Sequence, residues 1–348
     1  MRPKTKAITA AVTGSALGVA GLAWLAMPAS AGEPPTLPPI SAADLVASVL
    51  ATKTPALDGT VAVTNNLGLP VSALPGGMSL NIDSAHVYSD GNGDSKLSVE
   101  QGATETTIVK NGTTVWTYHS RDNTATRTTA PSGATTHPPE ATDPATMATR
   151  LVADISQTST VSVEGTALVA GRPAYELVLT PKPTERTLLR EIRISVDAQK
   201  RVPLRLAVFA DGSADPALQV AFSDIEFTPQ PASEFQFSPP QGAKVTEQQG
   251  QAHGTDPAAG TTKVVGSGWD TVITGTVPAT ALQPQQGRPG RNVDPKAMLQ
   301  HFGKPVSGAF GSGYVISTTV GTALVTDDGR FAAGAVPEQV LVDTLGTK

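Results

Sequence analysis

Regular alternation of apolar and polar residues constrains the fold of this chain more than any other feature. Between residues 57 and 129, and again between 160 and 229, branched and aromatic side chains recur at every second position, and glycine-containing turns separate the runs. Alternation with a period of two places successive side chains on opposite faces of a sheet. We therefore predict about nine or ten strands that form one antiparallel meander.

Two stretches outside this alternation have the periodicity of helices. The first begins at Ser41, a good capping residue, and the second begins at Asp143-Pro144, where Asp caps and Pro fits the first turn. Each helix has an apolar side, which consists of Leu45, Val46, Val49 and Leu50 in the first and of Met147, Leu151, Val152 and Ile155 in the second. We expect both helices to cover an apolar face of the sheet.

The strand patterns also predict which side chains share a face. Trp116 and Tyr118 lie on one side of their strand, with Val115, Thr117 and His119 on the other, and a threonine-rich strand follows. In the later strands the apolar side is formed by Tyr175, Leu177 and Leu179, and by Ile192, Ile194 and Val196. The other side of the second of these strands carries Glu191, Arg193, Ser195 and Asp197. This pattern predicts one face against a core and one face in water.

The N-terminus has the features of an export signal. Arg2, Lys4 and Lys6 precede an uncharged stretch that ends in Ala29-Ser30-Ala31, a small-x-small cleavage site, so we predict a signal peptide over residues 1–31. An alternative is an uncleaved membrane anchor, because the stretch is long enough to span a bilayer. Removing the three basic residues from the formal charge of −5 leaves −8. Such an acidic surface argues against nucleic acid as a partner.

The remaining sequence suggests two units separated by linkers. A Pro-rich linker at 32–40 leads into a main domain at 41–247, and a polar linker at 248–262 precedes a C-terminal extension at 263–348. In the extension we predict a strand near 266–277, a short helix after Asp294-Pro295, two or three strands with a hairpin turn at Asp328-Gly329, and a final helix.

The composition argues against a metal site or a cofactor. Cysteine is absent, which excludes thiolate ligands, disulfides and a lipid-modified N-terminal cysteine. The five histidines are scattered and lack the spacing of metal ligands. Aromatic residues make up only 4% of the chain, so any apolar cavity must be walled mainly by aliphatic side chains. We expect no metal and no cofactor.

Four segments resemble a known family in the same order. They are NGTTVWTYHSRDNTATRTT at 111–129, GRPAYELVLTP at 171–181, IRISVDAQKRVPLRL at 192–206 and FQFSPPQGAKV at 235–245. Together they resemble the LolA, LppX and RseB superfamily, in particular its actinobacterial LolA-type members. The resemblance covers residues 40–247. It implies a mainly β (α+β) fold, a half-open antiparallel β-barrel with covering helices, to which this chain adds a small C-terminal α+β extension.

The resemblance also implies a function without chemistry. Members of this superfamily hold lipids or lipoprotein acyl chains against the concave apolar face of the half-barrel. The side chains that we expect to line such a cavity are Trp116, Tyr118, Met147, Leu151, Ile155, Tyr175, Leu177, Leu179, Ile192 and Ile194. An ordinary packed core would use the same residues. The helix after Asp143 is a candidate lid, because it lies between two Pro-rich linkers, of which the one before it is the polar linker at 130–142. The alternative is a fixed helix that completes the core.

Two other functions remain open at this level. An RseB-like envelope-stress sensor would bind the outer segment of a membrane protein and regulate an anti-sigma factor. A hydrolase would need an activated nucleophile, for which Ser267 and Ser312 in Gly-Ser-Gly triplets and His301 are the candidates. Neither triplet matches the G-x-S-x-G elbow, and we expect Gly-rich turns at both. The first expectation is thus an exported, non-enzymatic lipid- or lipoprotein-binding protein.

Overall fold

The computed structural model describes most of the chain. The described residues are 35–68, 82–129, 144–249, 262–277, 285–286, 292–293 and 295–346. The predicted signal peptide at 1–31, the polar linker at 130–142, most of the linker at 248–262, and the predicted caps Asp143 and Asp294 lie outside these residues. Among the helices that are described, none is long and apolar enough to cross a membrane.

A single large sheet contains the first twelve strands. Six of them precede the second helix: β1 (Ala56–Asn65), β2 (Ser84–Asp90), β3 (Ser95–Gln101), β4 (Thr104–Asn111), β5 (Thr114–His119) and β6 (Thr124–Thr129). Six follow it: β7 (Ser159–Val169), β8 (Arg172–Pro181), β9 (Leu189–Asp197), β10 (Pro203–Ala210), β11 (Pro216–Glu226) and β12 (Lys244–Gln249). Their order across the sheet is β12-β6-β5-β4-β3-β2-β1-β11-β10-β9-β8-β7.

This order corrects the prediction of one meander with nine or ten strands. Two meanders, β1–β6 and β7–β11, are joined by antiparallel pairing of β1 with β11, and β12 adds in parallel to β6. After β6 the chain therefore crosses to the far edge of the sheet, where β7 begins the second meander. Edge strands β12 and β7 are not neighbours, so the curved sheet stays open. The predicted mainly β, half-open architecture is confirmed.

Two helices pack against this sheet. Helix α1 (Ala42–Ala51) begins as predicted: the Ser41 hydroxyl accepts a hydrogen bond from the backbone N–H of Asp44 at 3.0 Å. Helix α2 (Pro144–Ile155) contacts α1 and β7. Leu45 of α1 is fully buried and forms one core cluster with Tyr175, Leu177 and Val196. Both helices thus lie on one face of β7, β8 and β9.

A second, smaller sheet follows the linker at 248–262. It has the order β13-β14-β20-β19-β18-β17. Its strands are β13 (Lys263–Val265), β14 (Val272–Thr276), β17 (Lys304–Gly308), β18 (Gly311–Ser317), β19 (Thr322–Thr326) and β20 (Arg330–Gly334). The short strands β15 (Gln285–Gln286) and β16 (Asn292–Val293) pair with each other. We call residues 262–346 of the described chain the C-terminal module.

The C-terminal module has a core of its own. Helix α3 (Pro295–Phe302) contacts β18, and helix α4 (Glu338–Gly346) contacts β14, β19 and β20. Buried Val272, Leu324, Val336 and Leu341 belong to one cluster. The predicted hairpin turn at Asp328-Gly329 joins β19 to β20, where Gly329 has a φ of 88° and its N–H donates to the Thr326 carbonyl at 2.9 Å. The domain boundaries inferred from composition stay a prediction.

Hydrogen bonds to backbone carbonyls hold the C-terminal module against the large sheet. The Leu188 N–H and the Thr187 hydroxyl both donate to the Ala335 carbonyl, at 2.9 and 2.7 Å. On another side of the module, the Thr319 N–H donates to the Leu67 carbonyl at 3.1 Å. The module is therefore docked at two separate places along the large sheet.

Candidate functional site

An apolar cavity lies between the two helices and the sheet. Its volume is about 260 Å³. The described lining residues are all aliphatic: Leu45, Val46, Val49 and Leu50 from α1; Leu151, Val152 and Ile155 from α2; and Val161, Leu177, Leu179, Ile194, Val196 and Pro203 from the sheet. We call this space the helix cavity. Because none of these side chains has a polar atom, the cavity can hold only an apolar group or remain dry.

Three large apolar side chains of the helices are exposed near this cavity. Leu50 and Leu151, which both line the cavity, are each 44% exposed, and Met147, one helical turn before Leu151, is 42% exposed. Large aliphatic residues on a helix are usually directed into a core. Here they form an apolar rim that solvent reaches, so the helix cavity has an opening between α1 and α2.

The apolar surface continues across the sheet beyond the helices. Ile194 pairs with Leu206, Leu206 with Val220, and Val220 with Val63. Directly paired residues lie on the same face of a sheet, and we call this face, which α1 and α2 cover at β7–β9, the helix face. Leu206 and Val220 are 40% and 37% exposed. An apolar trough therefore leads from the cavity over β10 and β11 towards β1.

The structure brings together five of the predicted lining residues. Leu151, Ile155, Leu177, Leu179 and Ile194 all line the helix cavity. Helix α1 supplies four more lining residues that the predicted set omitted: Leu45, Val46, Val49 and Leu50. The sequence already placed all four on the apolar side of that helix, so this pattern could have identified them.

Three other predicted residues lie beside the cavity. Tyr175 is buried beneath α1 in the same core cluster, and its hydroxyl donates to the Pro38 carbonyl at 3.0 Å. Ile192 lines a second, adjoining cavity. Met147 belongs to the exposed rim.

Trp116 and Tyr118 lie on the opposite face of the sheet, which corrects their predicted orientation. Their neighbour Thr117 is connected to Gly59 of β1 by an unbroken series of pairs through β4, β3 and β2. Gly59 alternates with Val63, which belongs to the helix face, so Thr117 belongs to that face and Trp116 does not. Instead, both aromatic rings contact Phe237, at centroid distances of 5.5 and 5.9 Å.

A segment after β11 explains why these aromatics face away from the helices. The 3₁₀ turn Ala232–Phe235 crosses the opposite face of β3 and β4. Glu234 forms an ion pair with Lys96 at 3.1 Å, and the Asn111 side chain donates to the Phe235 carbonyl at 3.0 Å. The two aromatic side chains therefore pack under a long-range crossing of the chain, and no local pattern in β5 predicts that crossing.

The predicted wet face of β8 and β9 is mostly buried. Glu176 is 8% exposed and Ser195 is fully buried. The Glu176 carboxylate accepts hydrogen bonds from the Ser195 hydroxyl and from the Arg205 guanidinium, both at 2.6 Å, and lies 3.6 Å from Arg193. Because each buried polar group has a partner, this face needs no water to satisfy it. The prediction of a solvated face is therefore wrong for Ser195, and it is also wrong for Asp197, which is fully buried.

The same pairing shifts the pKa of Glu176. Burial by itself would raise the pKa of this carboxyl, but hydrogen bonds from Ser195 and Arg205 and the charges of Arg205 and Arg193 outweigh burial. The pKa of Glu176 is consequently below its usual value, and the group is ionised at neutral pH.

Asp197 plays a comparable part at the turn between β9 and β10. It is fully buried and accepts a hydrogen bond from the Arg172 guanidinium and from the backbone N–H groups of Gln199 and Lys200, at 2.8 and 2.5 Å for the two amides. Burial opposes ionisation, yet these donors hold the pKa of Asp197 below its usual value. Asp197 therefore stabilises the turn by accepting hydrogen bonds from the amides within it. This explains why an Asp follows Val196 directly before the turn.

The residues considered for a hydrolase occupy turn and strand positions. Ser267 lies beside the 3₁₀ turn Gly268–Asp270, and Ser312 is in β18, paired with Ser307. The His301 ring packs edge-on against Phe302, 4.7 Å away between centroids. These positions differ from the strand-to-helix elbow that activates a nucleophilic serine. In the described part of the chain, no group of three or more His, Asp or Glu residues could hold a metal ion.

Comparison with known proteins gives matches at the level of structure only. No protein-family model matches the chain, and no curated protein sequence matches it significantly. The complex of MucA and MucB from Pseudomonas aeruginosa has 14% identity and a TM-score of 0.45, covering 87% of this chain and 96% of the matched chain.

Two further structures match the chain over a shorter range. A LolA superfamily protein from Nitrosomonas europaea has 12% identity and a TM-score of 0.24, covering 57% of this chain and 99% of its own. A putative outer membrane lipoprotein-sorting protein domain from Vibrio parahaemolyticus has 9% identity and a TM-score of 0.23, covering 56% and 95%. The similar structures thus include a member of the superfamily that four segments of the sequence resemble.

Proposed function

We propose that this protein is an exported, non-enzymatic carrier that binds the acyl chains of lipids or lipoproteins in the helix cavity. The observation that carries this proposal is a cavity of about 260 Å³ whose described lining is entirely aliphatic and which opens beside exposed Leu50 and Leu151. Each methylene that moves from water into such surroundings contributes about 0.8 kcal/mol to binding.

The trough on the helix face supports the same function. A chain too long for the cavity can continue over Leu206 and Val220, which are partly exposed and lie on the face that the helices cover. Solvent-exposed apolar side chains in a row mark a binding surface more often than scattered ones do. Helix α2 acts as the lid, because its Leu151, Val152 and Ile155 form one wall of the cavity while Leu151 also reaches solvent at the rim.

A direct test is to purify the exported protein without detergent from a phospholipid-rich bacterial host and to record its native mass. We expect a discrete added mass that extracts into organic solvent as an intact lipid. An empty protein that also takes up no lipid from vesicles would contradict the proposal. Release of free fatty acid from the bound lipid would contradict its non-enzymatic part, because a carrier leaves acyl esters uncleaved.

A further inference from the structure

A second cavity adjoins the helix cavity at the contact with the C-terminal module. Its volume is about 590 Å³, and Ile155 and Leu179 line both cavities. One side is formed by the end of α2 and by β7–β9, and the other by residues 267–269, Thr271 and Ala335 of the C-terminal module. We call this space the module cavity. The large sheet alone would leave it open, so the C-terminal module completes it.

Trp269 is fixed as one wall of the module cavity. Its indole N–H donates to the Ser159 hydroxyl at 2.7 Å, and its backbone N–H donates to the Glu185 carboxylate at 3.0 Å. Next to it, Gly268 has a φ of +71°, and a Cβ there would lie 2.5 Å from the Thr158 side chain. The close approach and the positive φ both require glycine. This wall is therefore built into the sequence and is not a loose contact.

The chemistry of the module cavity differs from that of the helix cavity. Its apolar residues, Leu179, Leu189, Ile192 and Trp269, continue the aliphatic surface. Hydroxyl and amide groups also line it, namely those of Gln157, Thr158, Ser159, Ser267 and Thr271. Such groups form hydrogen bonds without carrying a charge. The Thr158 and Thr271 hydroxyls already donate to backbone carbonyls and can still accept, and the Ser159 hydroxyl accepts from Trp269 and can still donate. The lining therefore suits a polar group joined to an apolar chain.

The one charge in the described lining of the module cavity is negative, and the nearby cations Lys182 and Arg190 are not among the lining residues. Asp154 is the one ionisable side chain among the described lining residues. Arg186 lies near the lining residues in sequence but does not line the cavity. Its side chain is 60% exposed and lies 4.0 Å from Asp270 and 3.9 Å from Asp343. A phosphate in the cavity would meet a carboxylate and would lack a cation among the described lining groups. At this exposed end of the cavity, repulsion between the phosphate and Asp154, without a lining cation to offset it, disfavours an anionic group.

We propose that the module cavity binds the uncharged polar end of an acylglycerol whose acyl chain occupies the helix cavity. This inference rests on the proposed function and adds the class of ligand: an ester-linked acylglycerol without a phosphate. The hydroxyl and ester oxygens of the glycerol face the neutral side chains at the end of α2, and the C-terminal module determines which polar ends are accepted.

The test offers the full chain two lipids with identical acyl chains. Vesicles contain equal amounts of dioleoylglycerol and dioleoylphosphatidylglycerol, and the lipids retained by the protein are extracted and quantified. We expect about a tenfold preference for dioleoylglycerol, equivalent to about 1.4 kcal/mol. The exposed lining residue Gln157 then offers a sharp variant: Gln157→Lys places a cation at the cavity and should reduce or reverse the preference. Gln236→Lys, at an exposed position remote from the cavity, is the matched control.

The outcomes separate this inference from the proposed function. Retention of both lipids in equal amounts, unchanged by Gln157→Lys, overturns the acylglycerol inference and leaves acyl-chain binding intact. Retention of neither lipid overturns both. A lipopeptide whose cysteine carries a dioleoylglyceryl group, offered in a separate incubation, distinguishes a free glyceride from a lipoprotein anchor as the source of the acylglycerol. Uptake of one or both of these probes with exclusion of the phospholipid supports the inference.

Discussion

Strands β8 and β9 have two buried faces with opposite chemistry. On the helix face, Leu177 and Ile194 border a cavity that contains only aliphatic side chains. On the opposite face, Glu176 and Ser195 are bound to Arg205 by hydrogen bonds of 2.6 to 3.0 Å. Aliphatic contacts tolerate displacement, whereas a buried polar network is favourable only in one geometry. The opposite face thus keeps the strands in register, and the helix face carries the cavity to which we assign the ligand.

The largest effect should come from removing the centre of the polar network. Glu176→Ala leaves buried Ser195 and the partly buried Arg205 without their acceptor. Loss of one partner of a buried charge pair costs about 3 kcal/mol. We expect the free energy of unfolding, measured by urea denaturation, to fall by about this amount, while the folded protein still binds lipid. Glu226→Ala is the control, because it removes the same side chain from an exposed position outside the network. Equal losses in both variants would show that the network has no special role.

A charge at the rim of the helix cavity tests the other face. In Leu151→Asp a carboxylate replaces a lining side chain that is 44% exposed, so the fold should persist, as judged by far-UV circular dichroism. The carboxylate would have to lose water when an acyl chain binds, and we expect lipid retention to fall roughly 30-fold. Ala153→Asp places the same charge on the exposed side of α2, away from the cavity lining, and should retain lipid. Normal retention in a folded Leu151→Asp protein would contradict the role of α2 as a lid.

Local signals in the sequence predicted the elements but not their arrangement. Ser41 at the start of α1 and Asp328-Gly329 between β19 and β20 act within a few residues, and both predictions are confirmed. The jump of the chain from β6 to the far edge at β7 depends on the pairing of β1 with β11, whose partners are more than 150 residues apart. The periodicity of apolar residues along the sequence indicates helices and strands, but it does not indicate which distant strands pair.

The site was predictable only where one face of a strand is plainly apolar. Ile194 lies between Arg193 and Ser195 in its strand and pairs with Leu177. The structure places both residues, together with Leu179, at the helix cavity. In β5 both sides are compatible with burial, so alternation could not decide which face Trp116 occupies. Ser195 was expected in water because the partners of a polar side chain cannot be identified until Glu176 and Arg205 of the neighbouring strands are placed beside it.

Acid should weaken the polar face and leave the helix cavity unaffected. Glu176 and Asp197 have pKa values below their usual ones in the folded protein, so the stability that they contribute is complete above the unfolded pKa of about 4. That contribution is lost as the pH falls through the folded pKa values. The urea midpoint should decrease between pH 5 and pH 2 in every form of the protein. We expect the decrease to be smaller in the Glu176→Gln and Asp197→Asn variants than in the wild type. An identical decrease in the wild type and both variants would contradict the assignment to these two carboxyls.

The smallest expected effect concerns the contact between Trp269 of the C-terminal module and Ser159 of β7 at the module cavity. Trp269→Phe keeps an aromatic wall but removes the N–H that donates to the buried Ser159 hydroxyl at 2.7 Å. A single neutral hydrogen bond contributes about 1 kcal/mol, and Ser159 then remains buried without its donor. Ser159→Ala removes the other partner, so the double variant should be less destabilised than the sum of the two single variants. This non-additivity, measured by urea denaturation, isolates the contact between the module and the sheet. Strict additivity would mean that the indole N–H does not fix the module at this wall, and the wall of the module cavity would then depend on the Leu188 and Thr187 bonds to Ala335 instead.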